Sequence, residues 1–157
     1  MIHFDFLKCY FSRLIIVRLL LTGNGYIVLM VKMATNFLKI EQINAYSIAN
    51  ELSDFIWDLV SKWDWFNKRT LGIQYLTAVD SIAGNIAEGF GRFHKKDKQK
   101  FYYNARGSLY ESIHWTDKSR ARKLITPDQD KYIYARLDKL PREINWLIKI
   151  TEVKLKM

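Results

Sequence analysis

The sequence contains few of the residues that break helices or cross-link a chain. Its 157 residues include one cysteine, two prolines and seven glycines. Because Cys9 stands alone, an intrachain disulfide and a cysteine-rich zinc site are excluded, and we expect a reducing compartment, the cytoplasm. Long stretches without proline or glycine favour a few long helices over many short strands, and we find no strand pattern that competes with helix.

Patterns of catalytic and metal-binding residues are scarce as well. The three histidines, His3, His94 and His114, lack the i, i+4 spacing of paired metal ligands. No serine or cysteine has a recognisable nucleophile motif around it. Gly89 and Gly91 follow a predicted helix, whereas phosphate-binding glycines follow a strand and open a helix. We therefore expect no enzyme, no metal and no cofactor.

Residues 1–33 differ from the rest of the chain. Arg18 splits their longest apolar run, which is then too short for a transmembrane helix of roughly 20 apolar residues, and no small-residue cleavage site follows it. We expect this segment to lie outside the folded domain, with translation beginning at Met30 or Met33 as one explanation, and we expect no membrane contact. The remaining residues, 34–157, have the length of one ordinary domain.

Hydrophobic periodicity from Ile40 onward predicts four amphipathic helices. Four such helices joined by short turns form an all-α, antiparallel, up-down-up-down four-helix bundle. The predicted helices are a first from about 40 to 60, a second from about 70 to 90, a third that begins between 94 and 98, and a fourth that begins at 126.

Two signals mark the fourth helix. Thr126, Pro127 and Gln129 form a capping box with proline at the first helical position. Pro141 lies inside the apolar period and removes the hydrogen bond to the carbonyl of Leu137. We therefore predict a sharp start at Thr126 and a kink at Pro141.

Aromatic residues cluster at the predicted turn between the first two helices. Trp63, Trp65 and Phe66 lie within four residues of one another. We expect them to fold back onto the end of the bundle as a core cap. The alternative is a platform on which nucleic-acid bases stack, since lysine and arginine residues lie nearby.

Residues 81–92 combine small residues, two isoleucines and one acid. Ile82, Ile86 and Phe90 share one row of a helix, and the small residues leave little side chain between this helix and a neighbour. We therefore predict a tightly packed interior helix, with Gly107 in close contact with it. The residues predicted to form this packing surface are Ser81, Ile82, Gly84, Asn85, Ile86, Glu88, Gly89, Gly91, Gly107 and Ser108.

The end of this helix carries its own signals. Gly89 and Gly91 can adopt the left-handed conformation that closes a helix. Arg92 places a cation at the negative end of the helix dipole. Glu88 precedes Arg92 by four residues, a favourable spacing for an ion pair, and we expect it to act as a cap or in a pair between subunits.

Positive charge is concentrated downstream of this helix. The formal net charge is +9, and residues 92–123 carry ten cations against three acids, whereas residues 34–91 carry four cations against seven acids. The excess lies at two ends of one helix, roughly 35–40 Å apart. These ends are either solvated helix termini or contacts for nucleic-acid phosphates. The candidate contacts are Arg92, Lys95, Lys96, Lys98, Lys100, Arg120, Arg122 and Lys123.

The sequence Ser-Ile-Ala-Gly-Asn-Ile-Ala-Glu-Gly-Phe-Gly-Arg at 81–92 closely resembles the signature of the 23S rRNA intervening-sequence proteins. Residues 95–97 and 105–111 are similar to a second block of that family, and the resemblance spans roughly 38–154. It implies a left-handed antiparallel bundle, a homopentameric ring and no enzymatic activity. Leu76 and Thr77 stand where family members often carry arginines.

The resemblance also suggests partners. A related branch of the family consists of accessory proteins of diversity-generating retroelements, which bind nucleic acid and a reverse transcriptase. The leading hypothesis is a non-enzymatic, oligomeric bundle that binds RNA or DNA, or a ribonucleoprotein partner, through the eight cations. The alternative is a structural adaptor with protein partners only, such as an accessory protein of a reverse transcriptase.

Overall fold

The structure, a computed structural model, describes residues 6–10, 13–21, 27–34 and 38–154. The chain divides into two compact units, Met1–Leu38 and Lys39–Met157. Side chains are described for residues 38–153, all but the first of which lie in the second unit.

An antiparallel sheet forms the first unit. Cys9 lies opposite Leu14, and Arg18 lies opposite Met30. The expectation of helices alone missed this sheet, although isoleucine and valine are abundant in these segments and such residues favour strands. That residues 1–33 lie outside the folded domain stays a prediction. The strands, in the order β1-β2-β3, are β1 (Phe6–Tyr10), β2 (Arg13–Leu21) and β3 (Ile27–Ala34).

Four antiparallel helices form the second unit, so the predicted all-α bundle is confirmed. The second bundle helix is continuous through a π-helical turn at Lys68–Gly72, and the fourth is divided into two segments. The left-handed twist of the bundle stays a prediction. The helices are α1 (Asn44–Val60), α2 (Trp65–Asn67), α3 (Ile73–Gly91), α4 (Lys95–Ala121), α5 (Pro127–Leu137) and α6 (Leu140–Lys154), preceded by a 3-10 turn at Ile40–Gln42.

The apolar rows of the helices meet in one core. α3 packs against both α1 and α4, and α4 also packs against α6. The buried apolar residues of these helices are Ala45, Ala49, Leu52, Ile56, Leu59 and Val60 on α1; Tyr75, Ala78, Val79, Ile82, Ala83 and Ile86 on α3; Tyr102, Ala105 and Leu109 on α4; Ile133 and Leu137 on α5; and Leu140, Ile144, Leu147 and Ile148 on α6.

Hydroxyl groups are buried where α3 meets α4. The Tyr75 hydroxyl and Thr116 Oγ1 share a hydrogen bond of 2.7 Å, and Thr116 Oγ1 also donates to the Ser112 carbonyl at 2.8 Å. Burial raises the pKa of Tyr75 far above its usual range, so this hydroxyl stays neutral. Because each of these hydroxyl groups has a hydrogen-bond partner, their burial leaves no polar group unsatisfied.

The glycines of α3 and α4 differ in their surroundings. A Cβ atom on Gly89 would lie 2.7 Å from Tyr102 Cε1 and 3.2 Å from the Lys98 carbonyl oxygen. A Cβ atom on Gly84 or Gly107 would meet no atom within 4 Å. The prediction that Gly84 and Gly107 pack closely was therefore wrong, since both are exposed, and the close contact is made by Gly89 alone among the three.

The end of α3 also differs from its prediction. The helix continues through Gly91, and Arg92 follows in an extended conformation with φ −71°. Neither Gly89 nor Gly91 has the positive φ of a left-handed cap, so that prediction was wrong. The glycine at 89 is required by the nearby Tyr102 ring instead of by backbone conformation.

The predicted start of the fourth helix is confirmed. The Gln129 N–H donates to Thr126 Oγ1 at 3.2 Å, and the Thr126 N–H donates to Gln129 Oε1 at 2.8 Å. The predicted interruption of this helix by Pro141 is a full break and not a kink, because the helix stops after Leu137 and restarts at Leu140. Pro141 then lies in the first turn of α6, where a missing N–H costs no helical hydrogen bond.

The aromatic cluster at the first turn is divided. Trp63 is buried and its Nε1 donates to the Leu124 carbonyl at 3.1 Å, so it caps the core as predicted. Trp65 and Phe66 are 70% and 63% exposed, and for these two residues the prediction was wrong. They begin the short helix α2, which directs them away from the core.

Candidate nucleic-acid interface

The eight predicted cations lie at the two ends of α4. At 1.5 Å per residue, the 27 residues of this helix separate its ends by about 40 Å. We call residues 92–100 the N-terminal basic segment and residues 118–123 the C-terminal basic segment. Each segment is therefore a separate surface of the bundle.

Two lysines of the N-terminal basic segment bind backbone carbonyls. Lys98 Nζ donates to the carbonyls of Phe90 at 2.7 Å and Gly89 at 3.3 Å, and burial lowers the pKa of Lys98. Lys95 Nζ donates to the carbonyl of Glu152 near the end of α6. Both lysines thus bind carbonyls in the last turn of a helix, where a lysine side chain can supply hydrogen bonds that the helix itself does not.

Arg92 is also engaged within the chain. Its guanidinium forms an ion pair with Glu88, one turn earlier on α3. It also lies over the ring of Phe101, 4.7 Å from the centroid. The predicted pairing of Glu88 with Arg92 is thus present in one chain, and Arg92 has less charge to offer a phosphate than its exposure suggests.

Arg120 has the strongest pairing of the eight cations. Its Nε and Nη2 donate to the Asp130 carboxylate at 2.9 and 2.8 Å, and its Nη1 donates to Asp117 at 3.0 Å. The hydrogen bond with Asp130 raises the pKa of Arg120 above its already high usual value. The guanidinium also lies 4.7 Å from the ring centre of Tyr134. Two carboxylates thus neutralise this arginine, and its bonds to Asp130 link α4 to α5.

The remaining four predicted cations are exposed. Within residues 38–153, the side chains of Lys96, Lys100, Arg122 and Lys123 have no hydrogen bond or ion pair. Lys118, which the prediction left out, is exposed one turn before Arg122. Each basic segment thus offers two or three unpaired cations to a ligand.

The predicted packing surface is only partly buried. Asn85 Nδ2 donates to the Ser81 carbonyl at 2.7 Å, and the Ser108 carbonyl accepts from Ser112 Oγ at 2.8 Å. Its members thus divide between the core and the surface. Ile82, Ile86 and Gly89 are buried; Ser81, Asn85 and Ser108 are half-buried; and Gly84, Glu88, Gly91 and Gly107 are exposed.

Phe93 is a feature that the sequence analysis missed. Its side chain is 90% exposed, and it lies in the turn between α3 and α4. The ring of His94 meets it edge to face, with the ring centres 5.3 Å apart. Its position in the sequence was the available signal. Phe93 is an aromatic residue that lies outside the apolar period of the helices and has cations on both sides in the sequence.

An apolar face between α1 and α3 was missed as well. Trp57 and Ile73 are 62% and 55% exposed, and both border an open concavity of about 280 Å³. Its other lining residues are Val60, Ser61, Lys68 and Leu76. We call the surface of Trp57, Ile73 and Leu76 the apolar face.

The described residues lack the groupings that metal chemistry needs. Within the ranges that the structure describes, no three histidine, cysteine, aspartate or glutamate side chains lie close enough together to hold a metal ion. Among the described helices, none has the length and apolar character to cross a membrane.

The helical unit and its surfaces define an antiparallel four-helix bundle protein. Residues 41–146, more than half of the chain, match the family described as 23S rRNA-intervening sequence protein. The chain belongs to this family.

A solved relative has the same fold. It is the crystal structure of a protein with unknown function from the S23 ribosomal protein family, from Bacteroides thetaiotaomicron. It aligns with a TM-score of 0.60 at 19% identity, over 67% of this chain and 95% of that chain. No curated protein matches the chain significantly.

Proposed function

We propose that the protein is a non-enzymatic, self-associating bundle that binds RNA through the two basic segments. The observation that carries this proposal is the division of the predicted cations into engaged and unpaired groups. Lys96, Lys100, Arg122 and Lys123 are exposed and have no partner within residues 38–153. Unpaired lysine and arginine side chains are the groups that contact phosphates.

Binding of this kind has a defined thermodynamic signature. Each cation that neutralises a phosphate releases counterions, so the logarithm of the affinity falls linearly with the logarithm of the salt concentration. Cations that already have a carboxylate or carbonyl partner contribute less, because contact with a phosphate requires the existing bond to break. The slope therefore reports how many unpaired cations contact RNA.

We expect Lys96→Gln/Lys100→Gln to reduce the salt slope for a structured RNA hairpin by about 1.5, since each neutralised phosphate contributes about 0.7–0.9. The matched control is Lys95→Gln, in the same basic segment, where the lysine binds the Glu152 carbonyl. Its slope should match that of the wild-type protein. Fluorescence anisotropy at several salt concentrations measures both. Equal slopes for the double variant and the wild-type protein would refute the assignment.

Self-association is the second part of the proposal. Large contiguous apolar surfaces are uncommon on monomers and mark interaction sites, in which aromatic residues are enriched. We propose that the apolar face binds a second copy of the chain, and that a homopentamer is the closed form. Several copies would multiply the basic segments and raise the avidity for RNA.

We expect Trp57→Ser/Ile73→Ser to convert an oligomer into a monomer, because it removes the two most exposed side chains of the apolar face. The control is Trp146→Ser, which removes an exposed tryptophan from α6. Multi-angle light scattering at micromolar concentration measures the mass. A monomeric wild-type protein, or an unchanged mass in the double variant, would contradict self-association through this surface.

The apolar face also favours one alternative function, an adaptor with protein partners only, such as a reverse transcriptase. Trp57 would then contact a different protein instead of a second copy. The two functions predict different results for RNA, because an adaptor of this kind has no need of phosphate contacts. Absence of RNA binding at low salt, together with loss of a protein complex in Trp57→Ser, would support the adaptor.

A further inference from the structure

Packing within the bundle does not explain the position of Phe93. It is the most exposed of the large apolar side chains in the described part of the chain. It lies in a sequence of nine residues, 92–100, that carries five cations and one acid. An aromatic ring presented to solvent among cations is the arrangement with which proteins bind unpaired nucleic-acid bases.

The backbone on both sides of Phe93 is held in place. The Arg92 N–H donates to the Glu88 carbonyl at 3.2 Å, which ends α3, and the Lys98 N–H donates to the His94 carbonyl at 3.0 Å, which begins α4. Phe93 thus lies between Arg92, the C-cap of α3, and His94, the N-cap of α4. Because the backbone is already ordered, binding would cost little additional conformational entropy.

We propose that Phe93 stacks on an unpaired base of single-stranded RNA, while Lys96 and Lys100 contact the adjacent phosphates. This inference rests on the proposed function and adds the form of nucleic acid that is bound. Bases in a duplex are stacked on one another, whereas bases in loops and single strands expose their faces. An exposed ring therefore contributes to single-strand binding and adds little to duplex binding.

Trp65 is the competing candidate for base stacking. It is 70% exposed, and the Arg69 guanidinium lies 5.2 Å from its ring centre. The charge around it is nearly balanced, however, because residues 58–69 contain three cations and two acids. The N-terminal basic segment has a net charge of +4, or +3 when Glu88, the partner of Arg92, is included, so the attraction of phosphates favours Phe93.

The test uses the full chain, a labelled single-stranded oligouridylate and a blunt RNA duplex of equal length. Phe93→Leu should weaken binding of the single strand by about 5- to 150-fold, the range for loss of one stacked base, and should leave the duplex almost unaffected. Phe93→Trp should retain or strengthen single-strand binding. Trp65→Leu is the matched control and should bind both RNAs as the wild-type protein does.

The outcomes separate this inference from the function on which it rests. If the wild-type protein binds neither RNA, the proposed function fails and the inference fails with it. If the wild-type protein binds and Phe93→Leu binds the single strand equally well, or if Trp65→Leu is the variant that loses affinity, the stacking role is overturned alone. Equal losses for single strand and duplex in Phe93→Leu, with a reduced mass in light scattering, would make Phe93 a contact between copies and would also overturn it.

Discussion

Replacing Trp63 by alanine is expected to lower the free energy of unfolding by about 3–5 kcal/mol, the usual cost of removing a buried tryptophan. The indole is buried at the end of the core, and its Nε1 donates to the Leu124 carbonyl at 3.1 Å. The variant therefore loses packing and also leaves a carbonyl without its partner. Urea denaturation followed by circular dichroism measures the change.

The control for this variant is Trp146→Ala, because Trp146 is an exposed tryptophan on α6. Its free energy of unfolding should change by less than about 0.5 kcal/mol. Similar losses in the two variants would mean that Trp63 is not part of the core. A third variant, Trp63→Phe, keeps most of the apolar volume and should lose the smaller contribution of the hydrogen bond, about 1 kcal/mol.

Gly89→Ala is expected to have a free energy of unfolding about 1–3 kcal/mol lower than that of Gly84→Ala, the usual cost of overpacking a core. The added methyl group would lie 2.7 Å from the buried ring of Tyr102 and 3.2 Å from the Lys98 carbonyl oxygen. The ring and the backbone must both shift to make room. Thermal or urea denaturation of the variant measures this cost.

Gly84→Ala is the matched control on the same helix. Its methyl group would meet no atom within 4 Å, and alanine is favoured over glycine inside a helix by about 1 kcal/mol. This variant should therefore be as stable as the wild-type protein or more stable. Because both substitutions gain the same helix propensity, their difference isolates the contact with Tyr102. Equal stabilities for the two variants would contradict the close packing of Gly89.

The helices and their buried rows could be predicted from the sequence. A helix repeats every 3.6 residues, so the spacing of Tyr75, Val79, Ile82 and Ile86 assigns one face of α3 to the core. The capping box at Thr126 acts over three residues, and its outcome does not depend on the rest of the fold. Local signals of this kind were sufficient for the bundle.

The glycines of α3 show where the helical period was misinterpreted. Gly84 is two residues after Ile82, about 200° around the helix, and therefore points away from the core. Gly89 is three residues after Ile86 and continues the buried row. The helical period thus distinguished the two glycines, and the error came from treating every small residue in the segment as a packing residue.

The division of the cations could not be predicted in this way. Lys98 and Lys100 are alike in sequence, but Lys98 reaches the carbonyls at the end of α3 and Lys100 is exposed. Arg120 is paired because Asp130 on the next helix lies beside it. These partners come from other helices, so the tertiary fold decides which cations are available to a ligand.

Exposure of the aromatic residues depends on the same tertiary information. Trp63 and Trp65 are two residues apart, yet one is buried and the other begins α2 on the surface. Composition favours burial for both. Phe93 and the apolar face became visible only when the packing of the helices showed which apolar side chains were left without a neighbour.

If this bundle binds RNA through phosphate contacts of its unpaired cations, as we propose, its affinity for RNA falls as the salt concentration rises. A filter-binding titration of the full chain on a structured RNA, repeated at several salt concentrations, gives the slope of log affinity against log salt. We expect binding at low salt and a slope of about −1.5 or steeper, the value for two phosphates at one basic segment. No binding at low salt, or an affinity that is indifferent to salt, would contradict it.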